Sequence, residues 1–183
     1  LGIHMDLGPP ADVNSNPRNP AINIRSFGED PAATGAMVGG WVRGLQDGGV
    51  LATLKHFPGH GDTDMDSHLG LPIVPHSLER LERVELPPFK SGFDAGAAAV
   101  MVAHVEMPAL DPEKQPATFS AKVIGTLLRP NFDGLIVSDA MNMRGVTLMG
   151  PAGEAAVRAT KAGIDMILDS PDSAAGAATV GAA

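Results

Sequence analysis

Five short hydrophobic runs recur along the chain: "LGIHMDLGP" (1–9), "VLATLKHF" (50–57), "AAAVMVAHVEM" (97–107), "GLIVSDAM" (134–141) and "GIDMILDS" (163–170). Apolar residues fill successive positions in them rather than alternate ones. That is the pattern of strands covered on both faces, as in a parallel sheet. Each run ends in polar or ionisable residues. Between the runs the pattern becomes helical. "DPAATGAMVGGWVRGLQDGG" (30–49) opens on Asp-Pro and closes on a glycine pair, so it carries both a helix start and a C-cap. "SLERLERVEL" (77–86) starts at the N-cap residue Ser77 and repeats Leu78, Leu81 and Val84 at helical spacing. Pro87-Pro88 stops that helix and opens a short second one, "PPFKSGFDAG". "SAKVIGTLLRP" (120–130) has a serine start and a proline stop, and "AGEAAVRATKAG" (152–163) ends at a glycine cap.

Strands alternating with helices predict an α/β fold. Polar groups gathered at the C-terminal ends of strands are the arrangement of a (β/α)₈, or TIM-type, barrel, which builds its active site there. A complete barrel has eight strands in about 250 residues. About five βα units are visible here, so residues 1–183 are expected to form a single partial domain, the C-terminal portion of such a barrel with its first strands missing. The ends fit that expectation: "LGIHMDLGPPADV" starts in a strand, and "SAAGAATVGAA" closes without a stop signal.

Composition narrows the function classes. With 44% apolar and 19% charged residues the balance is that of an ordinary globular chain. The net charge is −8, from 21 acidic and 13 basic residues, and no basic run occurs, which argues against a nucleic-acid partner. The absence of cysteine excludes disulfides and thiol catalysis but leaves the compartment open, cytoplasmic or exported. No apolar stretch approaches the roughly 20 residues of a membrane span.

Ionisable groups are densest in "KHFPGHGDTDMDSH" (55–68), which holds Lys55, His56, His60, Asp62, Asp64, Asp66 and His68. His56 and His60 have the spacing of two metal ligands on one helix face. Pro58, Gly59 and Gly61 disfavour a helix there, so no metal ligand is assigned. A metal-dependent hydrolase using His56, His60 and His68 stays as the competing class. An acid/base reading fits better. Lys55 and His56 arrive at a strand end, where they can bind substrate hydroxyls. Asp66 lies two residues before His68, and a carboxylate bonded to one ring nitrogen orients a histidine and leaves the other for proton transfer. Asp139 closes the apolar strand "GLIVS"; its alternative is a structural cap. Arg25, in "NIRSFGEDP", reads from the residues alone as a surface salt bridge. His104, after "VMVA", reads as a satisfied core histidine.

Taken together, "ADVNSNPRNPAINIRSFGEDP", "KHFPGHGDTDMDSH", "MVAHVEMPALD" and "GLIVSDAMNM" resemble glycoside hydrolase family 3, in its β-N-acetylglucosaminidase branch, over residues 6 to 170. The resemblance implies a (β/α)₈ barrel and a retaining, two-step mechanism. It implies Asp139 as nucleophile, His68 as general acid/base and Asp66 as its dyad partner. Arg25, Lys55 and His56 match sugar-binding positions, and His60 matches a loop-shaping or pocket-lining position without a catalytic role. It further implies a carbohydrate substrate, a terminal GlcNAc of cell-wall muropeptides or chitin fragments, and no cofactor. A β-glucosidase, a β-xylosidase and a phosphorylase of the same family are the alternatives within that fold.

Overall fold

The structure, a computed structural model, describes residues 2–168. Asp169 and Ser170 of the last expected strand, and the small-residue tail, lie outside the described residues. Five strands form one curled parallel sheet in the order of the chain: β1 (Met5–Asp6), β2 (Leu51–Phe57), β3 (Ala99–Val102), β4 (Leu135–Ala140) and β5 (Met166–Leu168). Each falls inside one of the hydrophobic runs. In register, Met5 stands beside Leu51, Val100 beside Ile136, and Val137 beside Met166. The order β1-β2-β3-β4-β5 is the sequential winding of a barrel wall and has no switch point.

The connecting helices begin where the chain supplies a cap. Helix α1 (Pro31–Asp47) starts at Asp30, whose Oδ1 accepts the Ala33 N–H at 2.7 Å. Helix α2 (Leu78–Arg83) starts at Ser77, whose hydroxyl accepts the Arg80 N–H at 3.3 Å. Helix α3 (Pro87–Asp94) follows directly, with its prolines where a missing N–H is harmless. Helix α5 (Ala152–Ala162) closes on Gly163, which is left-handed. Segment 120–130 departs from the regular helix expected of it. Val123–Leu128 winds as a wider π-helix, and Arg129–Asn131 tightens to a 3₁₀ turn. The Thr126 hydroxyl back-bonds to the Lys122 carbonyl at 2.5 Å and Pro130 contributes no N–H, and both disturb a regular ladder. A short helix the apolar pattern did not announce, α4 (Arg144–Thr147), follows β4.

The core lies between sheet and helices. Val38 and Val42 of α1, Leu54 and Phe57 of β2, Phe89 of α3, Val100 and Val102 of β3, Ile136 of β4 and Ala159 of α5 are all within 1% of full burial. Phe57 and Phe89 meet edge-to-face at 5.3 Å. This layer fixes the outer faces of the strands and leaves their C-terminal ends to carry polar groups. Among the described residues no helix is long and apolar enough to cross a membrane.

Candidate active site

A cavity of about 220 Å³ opens at the C-terminal ends of the strands. Its lining includes Arg25, Lys55, His56, His60, Asp66, Ser67, His68 and Asp139, with Leu7, Ile22, Met101, Met143 and Leu168 as apolar wall. All six residues expected at the site therefore meet in one place, although they span residues 25 to 139. A larger cavity of about 340 Å³ lies between α2, α3 and residues 127–131, and it contains none of them.

Lys55 and His56 are consecutive, and a regular strand would point them to opposite faces. The β2–β3 register shifts between Leu54 and Phe57, which lets both reach the cavity. Lys55 is half-buried. Burial, then the nearby Arg25 charge, pulls its ammonium below the ordinary lysine value, while Asp139, Asp12 and Asp6 pull the other way. Arg25 ends a 3₁₀ turn, Asn23–Arg25. Its Nη1 donates to the Ala21 carbonyl at 2.9 Å and its Nη2 lies 3.4 Å from His56 Nε2. It lines the cavity, where the residues alone had suggested a surface salt bridge.

The organising residue is one that the sequence reading passed over. Asp12 is fully buried on the stretch after β1. Its Oδ2 accepts His56 Nδ1–H at 2.7 Å, its Oδ1 accepts the His60 N–H at 2.7 Å, and the His56 N–H reaches both oxygens at 3.3 and 3.2 Å. Burial pushes the Asp12 carboxyl up, but His56 and His60 outweigh it and hold the group below the ordinary aspartate range. The bond to Nδ1 fixes the His56 tautomer: Nδ1 carries the proton and Nε2 turns its lone pair to the Arg25 guanidinium. The available signal was one carboxylate among small and apolar residues in "PPADVN", since an acid in such a setting is buried only with partners.

His60 shapes the loop, as its position implied. It is 2% exposed, and burial holds its ring below the usual histidine value, hence neutral. Nδ1 meets Thr63 Oγ1 at 2.6 Å and Nε2 meets Ser67 Oγ at 3.2 Å, so both nitrogens are committed. Asn19 Nδ2 completes this buried knot through the His60 carbonyl (2.7 Å) and Thr63 Oγ1 (3.2 Å). Gly61 passes so close to Val13 that a Cβ would stand 1.8 Å from the Val13 carbonyl oxygen.

The loop then presents the expected dyad. Asp66 Oδ1 accepts both the His68 backbone N–H (2.9 Å) and Nδ1–H (2.8 Å), which leaves Nε2 for proton transfer. The opposing pull of partial burial is outweighed by these bonds and by the His68 ring, so Asp66 lies below the ordinary range and stays ionised. His68 is 65% exposed. Across the same cavity, Asp139 is the penultimate residue of β4 and is 8% exposed, with Oδ1 accepting the Ala140 N–H at 2.8 Å. The Gly145 N–H of α4 donates to the Ser67 carbonyl at 3.1 Å, which ties the segment after Asp139 to the loop bearing His68. His104 is the satisfied core histidine expected: Nδ1 accepts from Thr118 Oγ1 (2.8 Å) and Nε2–H donates to the Ala140 carbonyl (3.1 Å).

A metal held by His56, His60 and His68 does not fit these bonds. Both His60 nitrogens already have partners, so this histidine has no lone pair left for a metal. Among the described residues the group with ligand spacing is Asp62, His76 and Glu85, whose candidate atoms lie within 4.8 Å of one another. Arg80, 3.0 Å from Glu85 and 3.6 Å from Asp62, already supplies a positive charge there.

Residues 1–180 match the family model described as the glycosyl hydrolase family 3 N terminal domain. Beta-hexosaminidase A of Pseudoalteromonas piscicida is 39% identical over 181 residues, covering 92% of this chain and 30% of the relative's length. A glycoside hydrolase family 3 beta-N-acetylglucosaminidase structure from Paenibacillus sp. str. FPU-7 is similar with TM-score 0.96 and 46% identity, over 99% of this chain and 35% of that one. A structure described as a beta-glucoside phosphorylase aligns with TM-score 0.92 and 30% identity, over 99% of this chain and 35% of that one. The chain thus spans about a third of the length of these relatives.

Proposed function

The chain belongs to glycosyl hydrolase family 3, and we propose that it carries the catalytic groups of a retaining exo-β-N-acetylglucosaminidase that releases terminal β-linked GlcNAc from muropeptides or chitin fragments. In the first step His68 Nε2–H donates its proton to the glycosidic oxygen while the Asp139 carboxylate attacks the anomeric carbon. The leaving alcohol departs and a covalent glycosyl-Asp139 remains. In the second step neutral His68 Nε2 takes a proton from water, the water oxygen bonds to the anomeric carbon, and the Asp139 ester bond breaks. Asp66 stabilises the imidazolium of the first step and fixes Nδ1 as the protonated nitrogen in the second. Arg25, Lys55 and His56 bind sugar hydroxyls and place the ring over Asp139.

One observation carries this reading: the Asp66–His68 pair and Asp139 open onto the same 220 Å³ cavity as the cationic clamp. An imidazole as acid/base also keeps a second negative charge away from the reacting centre, which leaves room for an anionic acceptor. The likeness to a structure described as a beta-glucoside phosphorylase makes transfer to phosphate the second reading. The deciding assay uses the full-length protein with aryl β-GlcNAc and β-glucoside, in water and with added phosphate, with the product anomer followed by NMR. Faster release of β-GlcNAc with net retention supports the hydrolase. A phosphate requirement and a sugar 1-phosphate product would establish the phosphorylase, and an inverted product would overturn the two-step mechanism.

A further inference from the structure

We propose that Asp62, His76 and Arg80 form a positioning latch for the loop bearing His68, an inference that rests on the acid/base role given to that residue above. None of the three lines the cavity. They act on the loop from outside. His76 Nε2–H donates to Asp62 Oδ2 at 2.6 Å, and Arg80 Nη2 stands 3.6 Å from the same oxygen. His76 immediately precedes Ser77, the cap of α2, so the bond ties the root of the loop to the start of a helix. The Arg80 guanidinium extends the tie. Its Nη2 donates to Glu85 Oε1 at 3.0 Å and to Ser15 Oγ at 3.2 Å, which joins α2, the loop and the stretch after Asp12.

Glu85 forms the floor of the latch. Its side chain is 1% exposed, and Oε2 has no hydrogen-bond partner. Gly59, where the loop leaves β2, rests on it: a Cβ there would lie 2.9 Å from Glu85 Cβ, at a backbone φ of +129°. The cluster's spacing would suit a divalent cation, but the guanidinium between its carboxylates is the cation it holds.

The latch bears on chemistry because it adds an outer anchor to a loop whose exposed tip carries His68. The exposed His68 ring has little packing to hold it, so the anchors at the two flanks decide where Nε2 lies. The inner anchors are the His60–Ser67 and Gly145–Ser67 bonds; the Asp62–His76 bond is the outer one. A displacement of about 1 Å at a reacting group can cost ~100-fold in rate.

The test compares His76→Ala with His76→Gln, which keeps an N–H donor, in the full-length protein. In His76→Ala, amide exchange over residues 61–70 is expected to rise roughly tenfold or more, with circular dichroism unchanged. Turnover of substrates with poor leaving groups should fall about 10–100-fold, and glycosylation by an activated aryl substrate should change little. His76→Gln should restore most of both. Unchanged loop exchange in His76→Ala overturns the latch. So do equal losses on good and poor leaving groups, if His68→Ala itself shows the unequal pattern. If His68→Ala shows no leaving-group dependence, the acid/base assignment fails instead, and the exchange rates alone decide whether His76 holds the loop. Loss of wild-type loop protection on adding EDTA, restored by zinc, would place a metal ion in the cluster and overturn the latch as drawn.

Discussion

Asp12→Asn is the change that separates the proposed sugar clamp from the groups proposed to perform the chemistry. The wild-type carboxylate accepts three N–H groups: His56 Nδ1–H, the His56 backbone and the His60 backbone. An amide of the same shape has one acceptor oxygen and one NH₂ group. If its oxygen faces the His60 N–H, the NH₂ faces His56 Nδ1, and the imidazole must take the other tautomer to accept. Nε2 then carries the hydrogen, and it meets the Arg25 guanidinium, itself only a donor, at 3.4 Å. If the amide is reversed, its NH₂ opposes the His60 N–H, which is 2.7 Å from Oδ1. No orientation satisfies the site.

The magnitude follows from the bond count. A hydrogen bond to an ionised group contributes about 1.5–3 kcal/mol and a neutral one about 0.5–1.5 kcal/mol. Losing the charge over three such contacts therefore costs on the order of 3 kcal/mol of stability, a sizeable part of a typical total of about 5–15 kcal/mol. The misplaced tautomer should weaken the clamp by about 1.5–3 kcal/mol, which is roughly 10–150-fold in kcat/KM. The acid side provides a second readout. The folded-state pKa of Asp12 is depressed, so its contribution is present above the ordinary carboxylate value and is lost as pH falls through the folded value. The stability gap between wild type and Asp12→Asn should therefore narrow below about pH 4. Denaturant titrations across pH and kcat/KM on an aryl β-GlcNAc measure both effects in the full-length protein. Wild-type kcat/KM in a folded variant, or a gap that is constant with pH, would refute the reasoning.

Asp139→Asn keeps the shape of the strand end and should abolish turnover without changing circular dichroism, and a fluorinated sugar inactivator should label Asp139 by peptide mapping; a label on another carboxylate removes it as nucleophile. His68→Ala should slow glycosylation by poor leaving groups far more than by an activated aryl group, and azide should speed the second step by attacking the glycosyl-enzyme without a general base. Gly61→Ala would press a Cβ into the Val13 carbonyl oxygen at 1.8 Å, so it should destabilise by about 3 kcal/mol or more and lower activity through the displaced loop, as a melting curve and kcat/KM measured together would show.

Some parts of this structure act within a few residues and could be read from them. Asp30 and Ser77 cap helices three residues ahead, and the unbroken apolar runs mark strands covered on both faces. The Asp66–His68 pair is legible for the same reason, because its two bonds close over two residues. Asp12 is the opposite case. Its partners are 44 and 48 residues away, and nothing in its own neighbourhood encodes them. The slip in β2 is equally silent, being a property of the pairing with β3 and not of "VLATLKHF" itself. Helix α4 and the π turn arise from a tie to the loop and from a back-bonding threonine with a following proline, which hydrophobic periodicity does not report.

The same division explains how so exposed a residue as His68 is held at the site. The six residues expected there come from two strand ends and two loops, and the sheet alone fixes only those in β2 and β4. Arg25 and His68 lie on loops, and a loop residue has no register to place it. Their positions are set by buried polar groups: Asp12 through His56 for Arg25, and His60 through Ser67 for the neighbour of His68. Buried polar groups are costly unless every partner is present. In this knot Asp12, His60, Thr63 and Asn19 all have partners, so a slight shift of either loop would leave a donor or an acceptor unpaired. That penalty, more than apolar packing, confines the two loops to the geometry in which Nε2 of His68 and the Asp139 carboxylate share one cavity.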